Sequence, residues 1–156
     1  MISNSTPLIC LAKLNKLELL IKLFKQIIIP EAVKEEVLIE GKPGYSILNE
    51  YIIWGLIKIE NPKNNLDFGI GAGENAAINL AKEKKDKLLI DDSFAIKIAQ
   101  SLDIDYIRTT GVILLLLKKK IIDKKTAKEM IYALVEDGYY ISPKILSGLI
   151  KNIESF

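Results

Sequence analysis

The residues best suited to chemistry in this chain are oxygen-bearing side chains at or near the ends of short apolar strands. Asp91 and Asp92 follow the apolar run 88–90, and Asn4 follows the short strand Ile2-Ser3. Functional groups of open parallel α/β sheets gather beyond the carboxyl ends of the strands, so such residues are expected to share one rim. The candidates for this rim are Asn4, Glu36, Glu74, Asp91 and Asp92.

Carboxylate chemistry is favoured because other catalytic groups are missing from the composition. The chain has no histidine and a single cysteine, Cys10. These counts exclude a Ser-His-Asp triad, a Cys-His pair, an imidazole metal site and an intrachain disulfide. Three or four carboxylates at one rim repel one another unless a cation is present. Mg²⁺ or Mn²⁺ suits oxygen ligands and supports phosphodiester hydrolysis, which becomes the leading hypothesis.

Four of the five candidates also have a simpler interpretation. Glu36 can face solvent from its helix, and Glu74 can be a first-turn acid that favours the helix dipole. Asp92 can cap the helix that follows it, and Asn4 can be a turn former. The spacing alone leaves these alternatives open.

Short β-branched or leucine-rich strands alternate with amphipathic helices along the chain, which indicates an α/β fold with a parallel sheet buried on both faces. Strands are predicted at Ile2-Ser3, Ile27–Ile29, Leu56–Ile59, Leu88–Ile90 and Tyr106-Ile107. The partly alternating pattern of Leu56–Ile59 makes it a candidate edge strand. The first helix is predicted to have Thr6 as its N-cap and Pro7 as its first residue. Later helices are predicted over 17–24, 30–38, 45–54, 76–85, 94–99, 112–119, 124–135 and 144–153.

Length and composition indicate one globular domain over residues 1–156. Apolar residues make up 49% of the chain and charged residues 27%, which suits a folded core. The strongly apolar stretch Thr109–Leu117 is too short to span a membrane, and the start lacks the pattern of a secretory signal, so we expect a cytoplasmic protein. The net charge of +2 does not by itself indicate nucleic-acid binding.

Five segments in order resemble a subfamily of PIN-domain proteins related to the VapC toxins of toxin-antitoxin pairs. The opening Ile-Ser-Asn-Ser-Thr-Pro-Leu-Ile is similar to that subfamily's Ser-Asp-Thr/Ser-Ser/Thr-Pro-Leu-Ile start. The other matching segments are Ile29–Val33 with Glu35-Glu36, Gly73–Ala77, Leu88–Asp92 and Thr109–Val112. The resemblance covers most of the chain.

The resemblance implies a three-layer α/β/α fold with a central parallel sheet and an endoribonuclease that uses Mg²⁺ or Mn²⁺ to cleave RNA, often single-stranded RNA. It also implies an antitoxin partner and a homodimer, which are common in such families. Carried over residue by residue, the expected catalytic and metal-binding positions are Asn4, Glu36, Glu74 and Asp91, with Asp92 a near alternate.

Two positions depart from the family pattern. Arg108 replaces the usual glycine before Thr109, and these two residues are candidates for binding a substrate phosphate; the alternative for Arg108 is an exposed loop charge. Asn4 replaces an aspartate. Its amide oxygen can still coordinate a metal, but it brings no negative charge and cannot act as a base, so we expect reduced or lost activity.

Three hypotheses follow for the function. The first is the endoribonuclease, with the RNA backbone guided by Arg108 and by lysines 82, 84, 85, 87, 118–120, 124 and 125. For any one of these lysines, a solvated charge at a helix end is the better interpretation. The second is a non-catalytic PIN-fold module that binds RNA or protein. The third is an interaction domain that docks a partner through Val112–Leu117, although an ordinary core role suits that run better.

Overall fold

The computed structural model describes residues 1–156 in full. The chain forms two compact units, Met1–Thr109 and Thr110–Phe156. The expectation of one domain over the whole chain stays a prediction. None of the helices combines the length and the apolar character that a membrane span requires.

The first unit carries a five-stranded, all-parallel sheet, as predicted. Its strands are β1 (Ile2–Ser3), β2 (Ile27–Ile29), β3 (Ile57–Ile59), β4 (Leu88–Leu89) and β5 (Tyr106–Ile107). Their spatial order is β3-β2-β1-β4-β5. The strand order reverses between β1 and β4, which pair through Ile2 with Leu88 and Ser3 with Leu89. Ligands of open α/β sheets bind at such a reversal, beyond the carboxyl ends of the strands.

Helices cover the sheet and give the three-layer α/β/α fold. The helices of the first unit are α1 (Ser5–Lys13), α2 (Leu17–Phe24), α3 (Glu31–Val37), α4 (Tyr45–Ile53), α5 (Ala72–Lys84) and α6 (Ser93–Ser101). Helix α7 (Thr109–Lys118) begins at the last residue of that unit, and α8 (Lys124–Glu136) and α9 (Pro143–Ser155) follow in the second unit.

The core of the first unit forms where the strands and the inner faces of the helices meet. Its fully buried members include Ile2, Leu88, Ala77 and Ile78. Strands buried on both faces read as continuous apolar runs, which is why they were recognisable in the sequence. The prediction that β3 is an edge strand is confirmed.

Helix starts differ most from the predictions. Helix α1 begins at Ser5 with Asn4 as its N-cap, so the expectation of a Thr6 cap and a Pro7 start is wrong. Helix α5 begins at Ala72, four residues before the predicted start. A helical glycine lowers intrinsic helix propensity, so packing rather than propensity extends α5 back past Gly73. In the second unit Lys128 pairs with Glu154 at 2.6 Å, which ties α8 to α9.

Candidate metal and RNA site

Asn4 lies at the carboxyl end of the central strand β1 and is almost fully buried, with 2% of its surface exposed. Its backbone N–H donates to the carbonyl of Leu89 at 2.9 Å, which extends the β1–β4 pairing to this residue. Its side-chain amide donates a hydrogen bond to the Glu74 carboxylate. Its Oδ1 is buried without a hydrogen-bond partner. A buried oxygen of this kind is costly unless something binds it.

Glu36 extends from α3 towards the start of α5. The Ser5 hydroxyl donates to its Oε2 at 2.5 Å, and the backbone N–H of Gly73 donates to its Oε1 at 3.2 Å. The carboxylate is thus fixed by one residue after β1 and another at the start of α5. The alternative that Glu36 only faces solvent does not describe this side chain, although the residue as a whole is exposed.

Gly73 is a glycine because the Glu36 carboxylate passes close to its Cα. A Cβ placed on Gly73 would lie 2.7 Å from both Cδ and Oε2 of Glu36, closer than real Cβ atoms come. The backbone at Gly73 is ordinary helix, so the reason is space rather than a left-handed conformation. Glycine here allows α3 and α5 to bring Glu36 and Glu74 to the same place.

Several neighbouring groups act on the pKa of the Glu74 carboxyl. Burial raises the pKa of this carboxyl above the ordinary value, and the carboxylates of Asp92 and Glu36 raise this pKa further. The hydrogen bond from Asn4 opposes the rise. Because these groups act on a common carboxyl, Asn4, Glu36, Glu74 and Asp92 lie in one neighbourhood.

Asp91 and Asp92 have different surroundings although they are adjacent. Thr109, which is fully buried, donates its backbone N–H to Asp91 Oδ1 at 2.9 Å and its hydroxyl to Oδ2 at 2.6 Å. Asp92 is exposed and caps α6, since its Oδ1 accepts from the backbone N–H of Ala95 at 2.8 Å. The capping alternative for Asp92 is therefore confirmed, and its charge still acts on Glu74.

Arg108 is held against the loop that carries the two aspartates. Its Nη1 donates to the carbonyl of Asp91 at 3.1 Å, and its Nη2 donates to the Ser93 hydroxyl at 3.2 Å. It is therefore not merely a loose loop charge. The two bonds engage two of the five N–H donors of a guanidinium, so the group can also contact an anion.

A family model described as a PIN domain matches residues 1–155. The chain belongs to the PIN-domain family. No curated protein and no solved structure shows significant similarity to it. PIN domains are generally nucleases that use divalent metal ions, so the family and the acidic rim point to the same class of chemistry.

The side chains of this PIN domain suit a hard divalent cation in donor type. Three carboxylates and the unpartnered Oδ1 of Asn4 supply only oxygen, which Mg²⁺ and Mn²⁺ prefer. No three acidic or cysteine side chains are gathered closely enough to hold an ion as they stand. Instead, the side-chain amide of Asn4 donates a hydrogen bond to the Glu74 carboxylate. A cation here would have to draw the carboxylates together.

Two buried asparagines of α5 support the PIN-domain site and were missed in the sequence. Asn75 Nδ2 and Asn79 Nδ2 donate to the carbonyl of Leu66 at 2.9 and 2.8 Å. Their Oδ1 atoms accept from the backbone N–H groups of Phe68 and Leu66, respectively. The pair therefore holds the loop that leads into Glu74. A signal was present in the sequence, because Asn75 and Asn79 are four residues apart in an alanine-rich helix and so lie on the same face. If that face is buried, both amides need hydrogen-bond partners from another segment.

The predicted lysine patches are not all placed near the acids. Lys82, Lys85 and Lys87 line a cavity of about 410 Å³ together with Asp86, Asp103 and Asp105. Lys87 precedes β4 and Asp105 precedes β5, so this cavity lies at the amino-terminal edge of the sheet, opposite the rim. Lys84 pairs with Glu60 at 2.9 Å. Lys82, Lys85 and Lys87 are therefore poorly placed to guide RNA into the rim, and the charge of Lys84 is already paired. Lysines 118–120, 124 and 125 belong to the second unit.

Proposed function

We propose that this PIN domain is a divalent-metal-dependent endoribonuclease whose activity is reduced by Asn4. The observation that carries the proposal is the neighbourhood of Glu74, where burial, Asp92 and Glu36 raise the pKa of its carboxyl while Asn4 Oδ1 is buried without a partner. Like charges and an unpartnered oxygen at one place are each relieved by a hard cation. Membership of the PIN-domain family supports the same reaction class.

The proposed ligands for Mg²⁺ or Mn²⁺ are Asn4 Oδ1 and the carboxylates of Glu36, Glu74 and Asp92. Asp91, which the sequence favoured over Asp92, is held by Thr109 and, unlike Asp92 and Glu36, is not among the carboxylates that raise the pKa of Glu74. We therefore assign it the role of fixing the loop at the end of β4. The bound cation would supply Lewis-acid stabilisation of charge that develops on the phosphodiester. The Arg108 guanidinium, fixed by Asp91 and Ser93, would bind a phosphate of the RNA.

Asn4 weakens this site in two ways. Its amide contributes no negative charge, so attraction for a cation is smaller than with a carboxylate. Its N–H group also donates to Glu74, so an incoming cation must compete with an existing hydrogen bond. An aspartate at position 4 would remove the bond and add a charge. We therefore expect a much stronger metal site in Asn4→Asp.

The alternative function is a non-catalytic PIN-fold module that binds RNA or protein. Two observations favour it. The Asn4 amide is hydrogen-bonded to the Glu74 carboxylate, and no three acidic side chains are close enough together to hold an ion. This alternative predicts intact RNA binding together with no binding of Mn²⁺ by either the parent chain or Asn4→Asp. Both functions use the same fold and the same RNA contact by Arg108. They differ in whether the rim binds a metal and catalyses cleavage.

The role of toxin in a toxin-antitoxin pair, with an antitoxin partner and a homodimer in the cytoplasm, is the finer part of the proposal. It rests on the resemblance of the motifs. The second unit adds exposed apolar side chains that a protein partner would cover, including Tyr140, 87% exposed, and Ile145, 59% exposed. Light scattering of the purified chain with and without its partner would test this part.

Cleavage of RNA tests the proposal directly. A labelled single-stranded RNA of mixed sequence is incubated with the parent chain and with Asn4→Asp, in EDTA, in Mg²⁺ and in Mn²⁺. We expect cleavage by Asn4→Asp only with the metals, and at least tenfold slower cleavage by the parent chain. Asn152→Asp adds the same charge on an exposed stretch of α9 and serves as the control. Absence of cleavage by Asn4→Asp with every metal would reject the nuclease.

A further inference from the structure

Phe94 is a large aromatic residue left on the surface beside the acidic rim. It lies in the first turn of α6, and 59% of its surface is exposed. The buried face of this helix is formed by Ala95, Ile96 and Ala99. The core therefore does not require an aromatic ring at position 94, and the exposed ring is available to a ligand.

The backbone brings Phe94 close to the groups proposed to bind RNA. Asp92 precedes it by two residues, so their Cα atoms are at most about 7 Å apart. Ser93, between them, accepts the hydrogen bond from Arg108 Nη2 at 3.2 Å. The segment 92–94 therefore carries a carboxylate and an exposed ring, and the Arg108 guanidinium is hydrogen-bonded to the residue between them. Lys97, one turn further along α6, is also exposed and adds a positive charge beside the ring.

This combination suits an unpaired nucleotide. A guanidinium binds its phosphate, and an aromatic ring stacks on its base, which is tolerant of sequence because every base has a flat face. In a duplex both faces of a base are covered by its neighbours, so the ring has nothing to stack on. The arrangement thus selects for single strands by the availability of a base face.

Building on the proposed nuclease function, we infer that Phe94 stacks on a base next to the phosphate held by Arg108 and thereby restricts the protein to single-stranded RNA. Phe94 is in this account a specificity-determining residue. It contributes to binding of the substrate and takes no part in the hydrolysis itself.

Fluorescence anisotropy tests the inference without requiring cleavage. The probe is a labelled 12-nucleotide single-stranded RNA, compared with the same RNA annealed to its complement, both in EDTA. We expect Phe94→Leu to raise the Kd for the single strand by roughly 5- to 150-fold, the loss that corresponds to one stacked base. Phe94→Tyr should keep the affinity, and the duplex should show no such loss. Tyr140→Leu removes another exposed aromatic residue, in the second unit, and is the matched control.

A second readout reports on stacking itself. Several single-stranded RNA probes are made, each with 2-aminopurine at a different position. At the position that stacks on Phe94, the fluorescence should fall on binding to the parent chain, and this quenching should be absent with Phe94→Leu. Equal Kd values for the parent chain and Phe94→Leu, or no binding of single-stranded RNA by the parent chain, would overturn the inference. If Asn4→Asp fails to cleave RNA while Phe94→Leu still weakens binding, the nuclease proposal fails and Phe94 as a single-strand contact stands.

Discussion

The backbone N–H of Gly73 donates to Oε1 of Glu36 at 3.2 Å, and the space that a side chain at Gly73 would need is filled by the Glu36 carboxylate. This contact joins α3 to α5 at the rim of the sheet. It places one proposed ligand, Glu36, beside the residue that precedes another, Glu74. The glycine of the Gly-Glu pair is thus a requirement of the site's geometry.

Gly73→Ala should move the Glu36 carboxylate while leaving the fold intact. A Cβ would displace the end of a flexible side chain, and alanine gains up to about 1 kcal/mol of helix propensity, so the Tm should change little. In an Asn4→Asp background we expect Mn²⁺ affinity to fall roughly tenfold, as for other residues that position ligands. Calorimetric titration measures this loss.

Gly148→Ala is the control for that experiment. Gly148 lies in α9, and no atom lies within 4 Å of the Cβ that the substitution would add. This variant should raise stability by roughly 0.5–1 kcal/mol and leave Mn²⁺ affinity unchanged. Unaltered Mn²⁺ affinity in Gly73→Ala would show that the Glu36 carboxylate is not a ligand or is not held by this contact.

Asn4→Asp should destabilise the chain when no divalent metal is present. The new carboxylate would be nearly fully buried next to Glu74, and the hydrogen bond from the Asn4 amide would be lost. We expect a loss of roughly 3 kcal/mol at neutral pH in EDTA, as for other buried charges without a partner. Urea unfolding measures it, with Asn152→Asp as the control.

The same loss should disappear in acid. The pKa of the new aspartate in the folded chain would be raised, so its penalty applies above that pKa and vanishes below the pKa of the unfolded chain. A loss that is unchanged between pH 7.5 and pH 4 would contradict the placement of position 4 beside Glu74.

Glu74→Gln should stabilise the metal-free chain at neutral pH. The pKa of Glu74 is raised in the folded state, so the folded chain binds its proton more tightly than the unfolded chain does. Stability is therefore greatest below the unfolded pKa and is lost as pH rises through the folded one. Glutamine stays neutral and avoids this loss. We expect a Tm increase on the order of 2 °C at pH 7.5 in EDTA, shrinking as the pH approaches 4.

Glu35→Gln is the comparison for Glu74→Gln. Glu35 is exposed on α3, so removal of its charge should leave the Tm nearly unchanged. A Glu74→Gln variant that is less stable than the parent at pH 7.5 would contradict the view that the ionised Glu74 is disfavoured in the fold.

Asn79→Ala should loosen the loop before α5. The Asn79 amide accepts from the Leu66 N–H at 3.2 Å and donates to the Leu66 carbonyl at 2.8 Å. Its loss should cost about 1–3 kcal/mol, since buried partners are left unpaired. Hydrogen exchange should show lost protection at Leu66 and less change at Phe68, whose N–H is bound by Asn75.

Asn64→Ala tests whether any asparagine in this region has such an effect. Asn64 is exposed in the same loop. Its replacement should leave the exchange rate at Leu66 unchanged. Equal exchange rates in Asn79→Ala and the parent chain would show that the loop is held by other contacts.

The fold could be predicted from the sequence because its signals are local and repeated. Apolar runs such as Ile27–Ile29 sit between amphipathic helices, and this alternation indicates a parallel sheet. The starts of α1 and α5 could not be predicted. Asn4 and Gly71 precede helices whose beginnings are fixed by contacts with distant segments, and helix propensity does not report those contacts.

The candidate site could be predicted only in part. Strand ends located Asn4 and the aspartate pair, positions near strand ends gave Glu36 and Glu74 as further candidates, and the resemblance then matched all of them to motifs. The difference between Asp91 and Asp92 depends on Thr109, which reaches Asp91 from 18 residues further along the chain. The role of Gly73 depends on the approach of Glu36 across 37 residues. Neither of these long-range contacts can be predicted from local spacing in the sequence.

Calorimetric titration with Mn²⁺ at neutral pH measures whether the rim of the sheet holds a divalent cation. We predict that Asn4→Asp binds about one Mn²⁺ per chain, that the parent chain binds it at least tenfold more weakly, and that Glu36→Gln in the Asn4→Asp background weakens binding at least tenfold while Glu35→Gln does not. Absence of Mn²⁺ binding by Asn4→Asp, or binding that is unaffected by Glu36→Gln, would show that the proposed ligands do not form a metal site.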